Sequence, residues 1–274
     1  MQSSRRGALR VAVFIALLLA VSSAPMVSAA SSAAQRPKVA LVLGGGAARG
    51  FSHVGLLRAF EEEGIPIDMI VAASMGSVLT GLYASGFTPA ELEYMAQRLD
   101  LAELFYVSFP PRGGMVRTER LERFLHEVTG GARLESLKIP YYPVVTNLFT
   151  GESVVLREGA LSRAIVASMS IPGMFPPVDI DGETYVDGGI KEPVPARFAK
   201  ELEADIVIAV DVRREVENPS RDSIVNNLQL TLYFLLDQNT ALHLPYADYL
   251  ISPGVHYDSY MDYQRVAYFI DRGY

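Results

Sequence analysis

Two short apolar runs near the start of the chain, each followed by a small-residue turn and an amphipathic segment, constrain the fold most. Residues 38–43 alternate Val, Ala and Leu as a buried strand does, and residues 52–63 place apolar side chains at helical spacing. Residues 67–72 and 75–85 repeat this order of strand and helix. Such short connections favour a parallel sheet covered on both faces. We therefore predict an α/β fold, a three-layer α/β/α sandwich with a mainly parallel central sheet.

Residues 1–29 have the layout of a secretory signal peptide. Three arginines precede an apolar run at residues 11–21, and a small-residue triplet ends at Ala29. The run is shorter than the ~20 apolar residues that a transmembrane helix needs. We expect cleavage near Ala29 and an exported protein, periplasmic or secreted, with the general and the twin-arginine routes both open. Association with the outer membrane is expected only if the chain is part of a longer protein.

The rest of the chain is predicted to be a polar linker at residues 30–37 and one domain at residues 38–274. Half of the 274 residues are hydrophobic, which is enough for one sizeable core. The chain has no cysteine, so disulfides and thiol chemistry are excluded. Without residues 1–34, 21 basic side chains remain against 31 acidic ones. This balance argues against nucleic acid as a partner and against electrostatic docking to anionic lipid.

The run GGGAARG at residues 44–50 connects the first predicted strand to its helix and is typical of a loop that holds negative charge. Its glycine spacing meets that of a nucleotide-binding P-loop, but Phe51 stands where that motif needs lysine. A dinucleotide-binding G-x-G-x-x-G fits with Ala47 as one substitution. A third alternative is a tight packing turn, and a fourth is a loop that stabilises the oxyanion of a reaction.

Ser74 follows the second predicted strand in the small-residue run AASMGS. A serine in a sharp turn between strand and helix is the arrangement of the nucleophile elbow G-x-S-x-G, here with Ala72 in place of the first glycine. Neighbouring parallel strands end at one edge of a sheet, so the loop at residues 44–50 is expected beside Ser74. Its N–H groups could then stabilise the oxyanion that forms when Ser74 attacks a carbonyl.

A serine nucleophile needs a base, and the chain offers four histidines and one acidic motif. His53 and His126 lie in predicted helices, whereas His243 or His256 would suit the chain order of a Ser-His-Asp esterase. The acidic candidate is Asp187 in YVDGG, at the end of a predicted strand. An ordinary turn aspartate is the alternative there, so these residues alone leave the base undecided.

In their order along the chain, GGGAARG, ASMGS and YVDGG resemble the motifs of the patatin-like phospholipases, in particular exported bacterial members of the neuropathy-target-esterase-like branch. The runs TNLFTGE, SIPGMFPP and DIVIAVDV extend this resemblance. It implies a dyad of Ser74 as nucleophile and Asp187 as base, with no catalytic histidine. It also implies an oxyanion hole built from the N–H groups of Gly45, Gly46 and Ala47.

The other motif positions are expected to support the site. They are Arg49, Gly50, Ala72, Gly76, Gly188 and Gly189. Arg49 is expected to anchor the glycine loop, with attraction of anionic substrate as the alternative. Ala47 and Ala72 depart from the glycines that are usual in the family, and alanine tolerates a positive φ poorly. These two departures keep open a non-catalytic lipid-binding module on the same fold.

The function that the resemblance implies is a serine acyl ester hydrolase of the phospholipase A or lysophospholipase type. It would release fatty acid from phospholipids or lysophospholipids through an acyl-enzyme, with no metal and no cofactor. The apolar residues 101–115 are expected either to contact the membrane surface or to fill the core. A Ser-His-Asp esterase and the non-catalytic module stay open as alternatives.

Overall fold

The parts of the chain that the computed structural model describes are residues 36–99, 101–107, 109–111, 113–213, 224–255 and 263–274. The predicted signal peptide, the predicted linker up to residue 35 and His256 lie outside these ranges. Residues 37–274 form one compact unit. Within the described ranges, no helix is both long enough and apolar enough to cross a membrane.

A twisted sheet with short strands lies at the centre of this unit. The strands are β1 Val39–Leu43, β2 Met69–Ala72, β3 Tyr106–Val107, β4 Val116–Arg117, β5 Tyr141–Asn147, β6 Ser153–Val155, β7 Val178–Ile180, β8 Glu183–Asp187, β9 Ile206–Val210 and β10 Tyr249–Ile251. Their order across the sheet is β10-β9-β1-β2-β5-β8-β7, with β6 beside β5 and with β3 and β4 in a separate ribbon. Strands β10, β9, β1, β2 and β5 pair in parallel, whereas β6 and β8 join β5 antiparallel.

Helices connect most of these strands. They are α1 Ser52–Glu62, α2 Met75–Ser85, α3 Pro89–Arg98, α4 Leu101–Leu104, α5 Glu119–Val128, α6 Leu161–Ser168, α7 Ala196–Glu201, α8 Ile224–His243 and α9 Val266–Gly273. Helices α1 and α2 begin and end within one residue of the predicted limits. The shorter strand β2 begins two residues later than predicted, because Ile67 and Asp68 lie in the turn before it.

Strand β1 shows why the sheet is covered on both faces. Its alternating side chains enter two separate hydrophobic clusters: Leu41 and Leu43 pack into one, and Ala40 and Val42 into the other. All four side chains are fully buried. A strand that is apolar at every position is expected where helices cover both sides of a parallel sheet. The predicted α/β class with a mainly parallel central sheet and flanking helices is confirmed.

Candidate active site

Ser74 occupies the sharp turn between β2 and α2, at the edge where β1 and β2 end. Its backbone has φ 55 and ψ −129, a region that a non-glycine residue adopts only at a cost of about 1–3 kcal/mol. The turn also depends on Gly76, because a Cβ there would lie 2.6 Å from the Leu43 carbonyl oxygen. The serine is therefore held in a strained conformation by close packing of α2 against the end of β1, as a nucleophile elbow requires.

Asp187 ends β8 and lies beside Ser74, since a Cβ on Gly189 would lie 2.9 Å from Asp187 Oδ1 and 3.9 Å from the Ser74 Cβ. Oδ1 of Asp187 accepts a hydrogen bond from the Gly189 N–H at 2.6 Å, and only 3% of the residue is exposed. Burial raises the pKa of Asp187 to about 7, and the hydrogen bonds from Ser74 and Gly189 offset part of that effect. A carboxylate with such a pKa can take up and return a proton near neutral pH.

The glycine loop passes directly beside Ser74. A Cβ on Gly45 would lie 2.8 Å from the Ser74 Cβ, so only glycine allows this approach. The N–H of Gly45 donates to the Pro193 carbonyl at 3.0 Å, which corrects the predicted role of Gly45 as an oxyanion donor. Pro193 belongs to the segment that follows the DGG motif, and its carbonyl holds the loop in place. Gly45 thus provides space beside Ser74, and its N–H anchors the loop.

The N–H groups of Gly46 and Ala47 have no hydrogen-bond partner among the described residues. Both lie at the start of a 3₁₀ turn, Ala47–Phe51, that leads into α1, where unpaired N–H groups favour an anion. Ala47 adopts φ 47, the left-handed region that alanine tolerates poorly. It also lines the same cavity as Ser74. The arrangement can therefore offer two N–H donors to an oxyanion, at the cost of strain in Ala47.

The remaining motif residues lie around this centre. Arg49 is 3% exposed, which favours the anchoring role over attraction of substrate from solvent. Ala72 lies in extended, buried β2, where its Cβ carries no positive-φ penalty. Gly50 packs against Met75, where a Cβ would lie 2.4 Å from the Met75 Cγ. Gly188 follows Asp187 and passes so close to β5 that a Cβ would lie 2.1 Å from the Val144 carbonyl oxygen.

The histidines in the described part of the chain make contacts that differ from those of a catalytic base for Ser74. Fully buried His53 donates from Nε2 to the Gly44 carbonyl at 2.9 Å, and burial lowers its pKa to about 4. Nδ1 of His243 lies 3.0 Å from Oε2 of buried Glu192. Neither these two nor His126 lines the cavity that contains Ser74. The contacts of His53 and Glu192 have no signal in the sequence, since they depend on packing between distant segments.

Ser74 lies in the wall of an apolar cavity of about 420 Å³. Helix α2 contributes Met75, Val78, Leu79 and Leu82, which places two helical turns of apolar surface beyond the serine. Helices α3 and α5 and residues 169–175 contribute further apolar side chains to the wall. Cavities of a few hundred Å³ with few polar groups are typical of small-molecule sites. The shape and lining fit a flexible apolar chain whose end reaches Ser74.

Residues 101–115, predicted either to contact a membrane or to fill the core, divide between buried and exposed positions. Leu104 is buried and Phe105 is half-buried, and both line the cavity. The rings of Phe105 and Phe175 pack at a centroid distance of 5.4 Å. Farther along, Val107 is 78% and Phe109 is 95% exposed. The segment is therefore attached at the cavity and presents apolar side chains to solvent beside it.

More than half of the chain matches the sequence profile of one protein family. The profile of the patatin-like phospholipases matches residues 41–200, a range that includes Ser74 and Asp187. The chain belongs to this family. The observed resemblance of the motifs to patatin-like phospholipases is thereby confirmed.

Within the described residues, no group of three or more histidine and acidic side chains is arranged to hold a metal ion.

Several curated proteins are similar to this patatin-like chain. An uncharacterized NTE family protein of Mycobacterium tuberculosis is 36% identical over 192 residues, which cover 69% of this chain and 53% of that protein. Patatin-like phospholipase domain-containing protein 6 of Homo sapiens is 34% identical, over 65% of this chain and 14% of that protein. Lysophospholipase nte1 of Neurospora crassa is 34% identical, over 64% and 12%. The match thus spans about half of the mycobacterial relative and a small part of the other two.

Two solved structures align with this chain at low sequence identity. VipD from Legionella pneumophila aligns with a TM-score of 0.45 at 14% identity, covering 72% of this chain and 53% of VipD. The ExoU–SpcU complex of Pseudomonas aeruginosa aligns with a TM-score of 0.43 at 18% identity, covering 86% of this chain and 52% of the matched chain.

Proposed function

We propose that this patatin-like protein is a serine acyl ester hydrolase that releases fatty acid from phospholipids or lysophospholipids. The observation that carries the proposal is that strained Ser74, in the wall of an apolar cavity, lies beside the buried carboxyl group of Asp187. The family supports a lipid ester as the substrate class, since relatives of this chain are named phospholipases and lysophospholipases. The site requires neither a metal nor a cofactor for this chemistry.

In the proposed first step, Asp187 takes the proton of the Ser74 hydroxyl while Oγ attacks the acyl carbonyl carbon. The N–H groups of Gly46 and Ala47 stabilise the oxyanion of the tetrahedral intermediate, and one such donor typically contributes about 10²–10³ in rate. The C–O bond of the ester then breaks, and the leaving alkoxide takes the proton from Asp187. The products are the alcohol, which is the lysophospholipid or glycerophospho compound, and an acyl-enzyme.

In the second step, Asp187 accepts a proton from water as the water oxygen attacks the acyl-enzyme. The same two N–H groups stabilise the second oxyanion. The bond from the acyl carbon to Ser74 Oγ breaks, and Oγ recovers the proton from Asp187. The fatty acid leaves, and the pKa of Asp187 near 7 suits a group that must both accept and donate a proton in each cycle.

The substrate would approach from a membrane or micelle surface. The cavity accepts the acyl chain along α2, so the ester carbonyl stops at Ser74. In this proposal exposed Val107 and Phe109 enter the interfacial region, where an apolar contact would compensate for the acidic balance of the chain. We further propose that the protein acts after export, on the basis of the sequence of residues 1–29.

The test uses purified protein with lysophosphatidylcholine and a short-chain nitrophenyl ester. We expect hydrolysis of both, unchanged by a chelator, and a loss of about 10³ or more in kcat for Ser74→Ala and Asp187→Asn. Matched controls are Ser85→Ala, whose hydroxyl only bonds the Leu82 carbonyl of its own helix, and Asp179→Asn on β7. Full activity in Ser74→Ala would refute the proposal. A loss caused only by His243→Ala would favour the histidine-dependent esterase.

A further inference from the structure

The dyad residues are held by one short segment at the end of α6. The carbonyl of Ser168 accepts the N–H of Ser74 at 3.1 Å, and the carbonyl of Ser170 accepts the N–H of Asp187 at 2.9 Å. Two carbonyls that are two residues apart in one segment thus bond the backbone of Ser74 and the backbone of Asp187. Any shift of this segment changes the positions of both residues together.

The side chain of Ser168 adds a second set of contacts to the same turn. Its Oγ lies 2.7 Å from the Val144 carbonyl on β5, 2.7 Å from Ser77 Oγ on α2, and 3.3 Å from the N–H of Ser74. Ser168 and Ser77 are both fully buried. The Ser168 hydroxyl therefore joins the helix that carries the nucleophile to the strand that pairs with β8.

The donor count makes the arrangement specific to a hydroxyl group. Ser168 has one hydroxyl hydrogen, which it donates to the Val144 carbonyl, so its lone pairs accept from Ser77 and from the Ser74 N–H. The one hydrogen of the Ser77 hydroxyl is shared between Ser168 Oγ and the Ala72 carbonyl, which accepts it at 2.9 Å immediately before the turn. A buried network in which every polar atom has a partner is rigid, and loss of one member leaves the others unpaired.

The strained backbone of Ser74 needs the support that this hydrogen-bond network provides. A residue at φ 55 and ψ −129 relaxes unless its surroundings hold it, and the two contacts from Ser168 reach the N–H of that same residue. The Val144 carbonyl, which Ser168 bonds, also lies against Gly188, next to Asp187. Both ends of the dyad are therefore connected to one hydroxyl group through neighbouring backbone.

We propose that Ser168 is a positioning residue that holds the distance and orientation between Ser74 Oγ and the Asp187 carboxylate. This inference rests on the proposed function, because Ser168 can affect the reaction in this way only if Ser74 and Asp187 react as a dyad. Ser168 itself does not touch the substrate, since it does not line the cavity. Its removal is expected to slow the chemical step and to leave substrate binding unchanged.

Ser170 offers a matched control two residues away. It is equally buried, but its hydroxyl donates to the Val166 carbonyl of α6 at 2.7 Å, and Ser170→Ala keeps the main-chain carbonyl that bonds the Asp187 N–H. Ser168→Ala and Ser170→Ala each remove one buried hydroxyl from the same segment. A general loss of stability would affect both variants alike, whereas a positioning role predicts a loss of kcat only in Ser168→Ala.

The experiment measures kcat and KM on the short-chain ester and the rate of covalent labelling by a fluorophosphonate, with the labelled residue mapped. For Ser168→Ala we expect kcat and the labelling rate to fall about tenfold or more, with KM within twofold of the unmodified protein. Ser170→Ala is expected to stay within twofold on all three quantities. If Ser168→Ala does not fold, Ser168→Cys and Ser170→Cys are compared instead: each introduces the same larger, weakly donating thiol, and only Ser168→Cys is expected to show the loss in kcat.

Two different results would overturn the two proposals separately. Labelling at Ser74 with equal kcat in the Ser168 and Ser170 variants would overturn the positioning role alone. Labelling at a residue other than Ser74 in the unmodified protein would overturn the dyad, and the positioning role with it. An increase in KM at constant kcat in Ser168→Ala would likewise contradict a role in positioning the reacting groups.

Discussion

Gly45 and Ser74 touch across the ends of the neighbouring parallel strands β1 and β2. A Cβ on Gly45 would lie 2.8 Å from the Cβ of Ser74 and 3.5 Å from its Oγ. Contacts of the shorter length do not occur between real side chains, so the loop and the nucleophile can be this close only if residue 45 is glycine. The glycine loop and the serine turn are therefore one unit of the proposed site.

This contact predicts the effect of Gly45→Ala. The added methyl group displaces either Ser74 or the loop, and a displacement of about 1 Å in an active site costs roughly 10²-fold in rate. We expect kcat on a short-chain ester to fall by about that factor while the protein stays folded in circular dichroism. Activity within threefold of the unmodified protein would show that the loop can move without affecting the nucleophile.

The strain at Ser74 predicts a gain in stability for one inactive variant, Ser74→Gly, and none for another, Ser74→Ala. Ser74→Gly removes the penalty of φ 55 and is expected to raise the free energy of unfolding by about 1 kcal/mol, after allowance for the more flexible unfolded chain. Ser74→Ala keeps the Cβ and the strain, so we expect no such gain. Chemical denaturation of both variants provides the measurement. Equal stability of the two would mean that the elbow is not strained.

The raised pKa of Asp187 predicts the pH profile of the reaction. The base acts when ionised, so kcat/KM is expected to rise with pH, to reach half of its plateau near pH 7 and to stay constant above it. Below that midpoint the rate should fall about tenfold per pH unit. A profile that is flat from about pH 5 to 8 would rule out Asp187 as the titrating base, because a group with a pKa of about 7 changes its ionisation within this range.

The same shift predicts how stability depends on pH. The folded-state pKa of about 7 lies above the ordinary value of 3.8, so burial of Asp187 favours the protonated form. The stabilising contribution of buried, protonated Asp187 is fully present below the ordinary pKa of 3.8 and is lost as the pH rises through about 7. We expect Asp187→Asn to remove this decline and to be more stable than the unmodified protein at pH 8, by about 2 kcal/mol. Thermal unfolding across this pH range is the measurement.

The exposed side chains beside the cavity predict how the protein contacts lipid. Phe109 is 95% exposed, and Phe109→Ser is expected to reduce binding to phosphatidylcholine vesicles about tenfold, since a fully buried aromatic ring contributes about 1.5–3 kcal/mol. Hydrolysis of the soluble ester should not change. Tyr249→Ser is the control, because Tyr249 is 63% exposed on β10, an edge strand of the central sheet that is distant in sequence from residues 101–115. Equal losses of vesicle binding in both variants would argue against a specific lipid-contacting segment.

Local patterns in the sequence predict the first half of the fold well. The alternation in residues 38–43 and the helical spacing in residues 52–63 follow from contacts within a few residues, so they are visible without a structure. The parallel pairing of β1 and β2 then places residues 44–50 beside Ser74, as the short connections predict. These parts of the site could be inferred because parallel strands end at one edge of the sheet.

Contacts between distant segments could not be inferred in this way. The N–H of Gly45 bonds the Pro193 carbonyl, and no local pattern signals a bond between residues so far apart in the chain. The same holds for Ser168, whose partners lie on β5 and α2. Helix α8 was not predicted either, because the apolar residues of Ile224–His243 do not form a single stripe. Strand β10 at the sheet edge is short and gives a weak signal.

The central claim is that Ser74 is the nucleophile and that Asp187 activates it. Its most direct test is covalent labelling of the purified protein by a fluorophosphonate at pH 8, followed by peptide mapping, in the unmodified protein and in Asp187→Asn. We predict one modified residue, Ser74, and a labelling rate at least about 10²-fold lower in Asp187→Asn, because the hydroxyl then lacks its base. Modification of another serine, or equal labelling rates in the two proteins, would contradict the account.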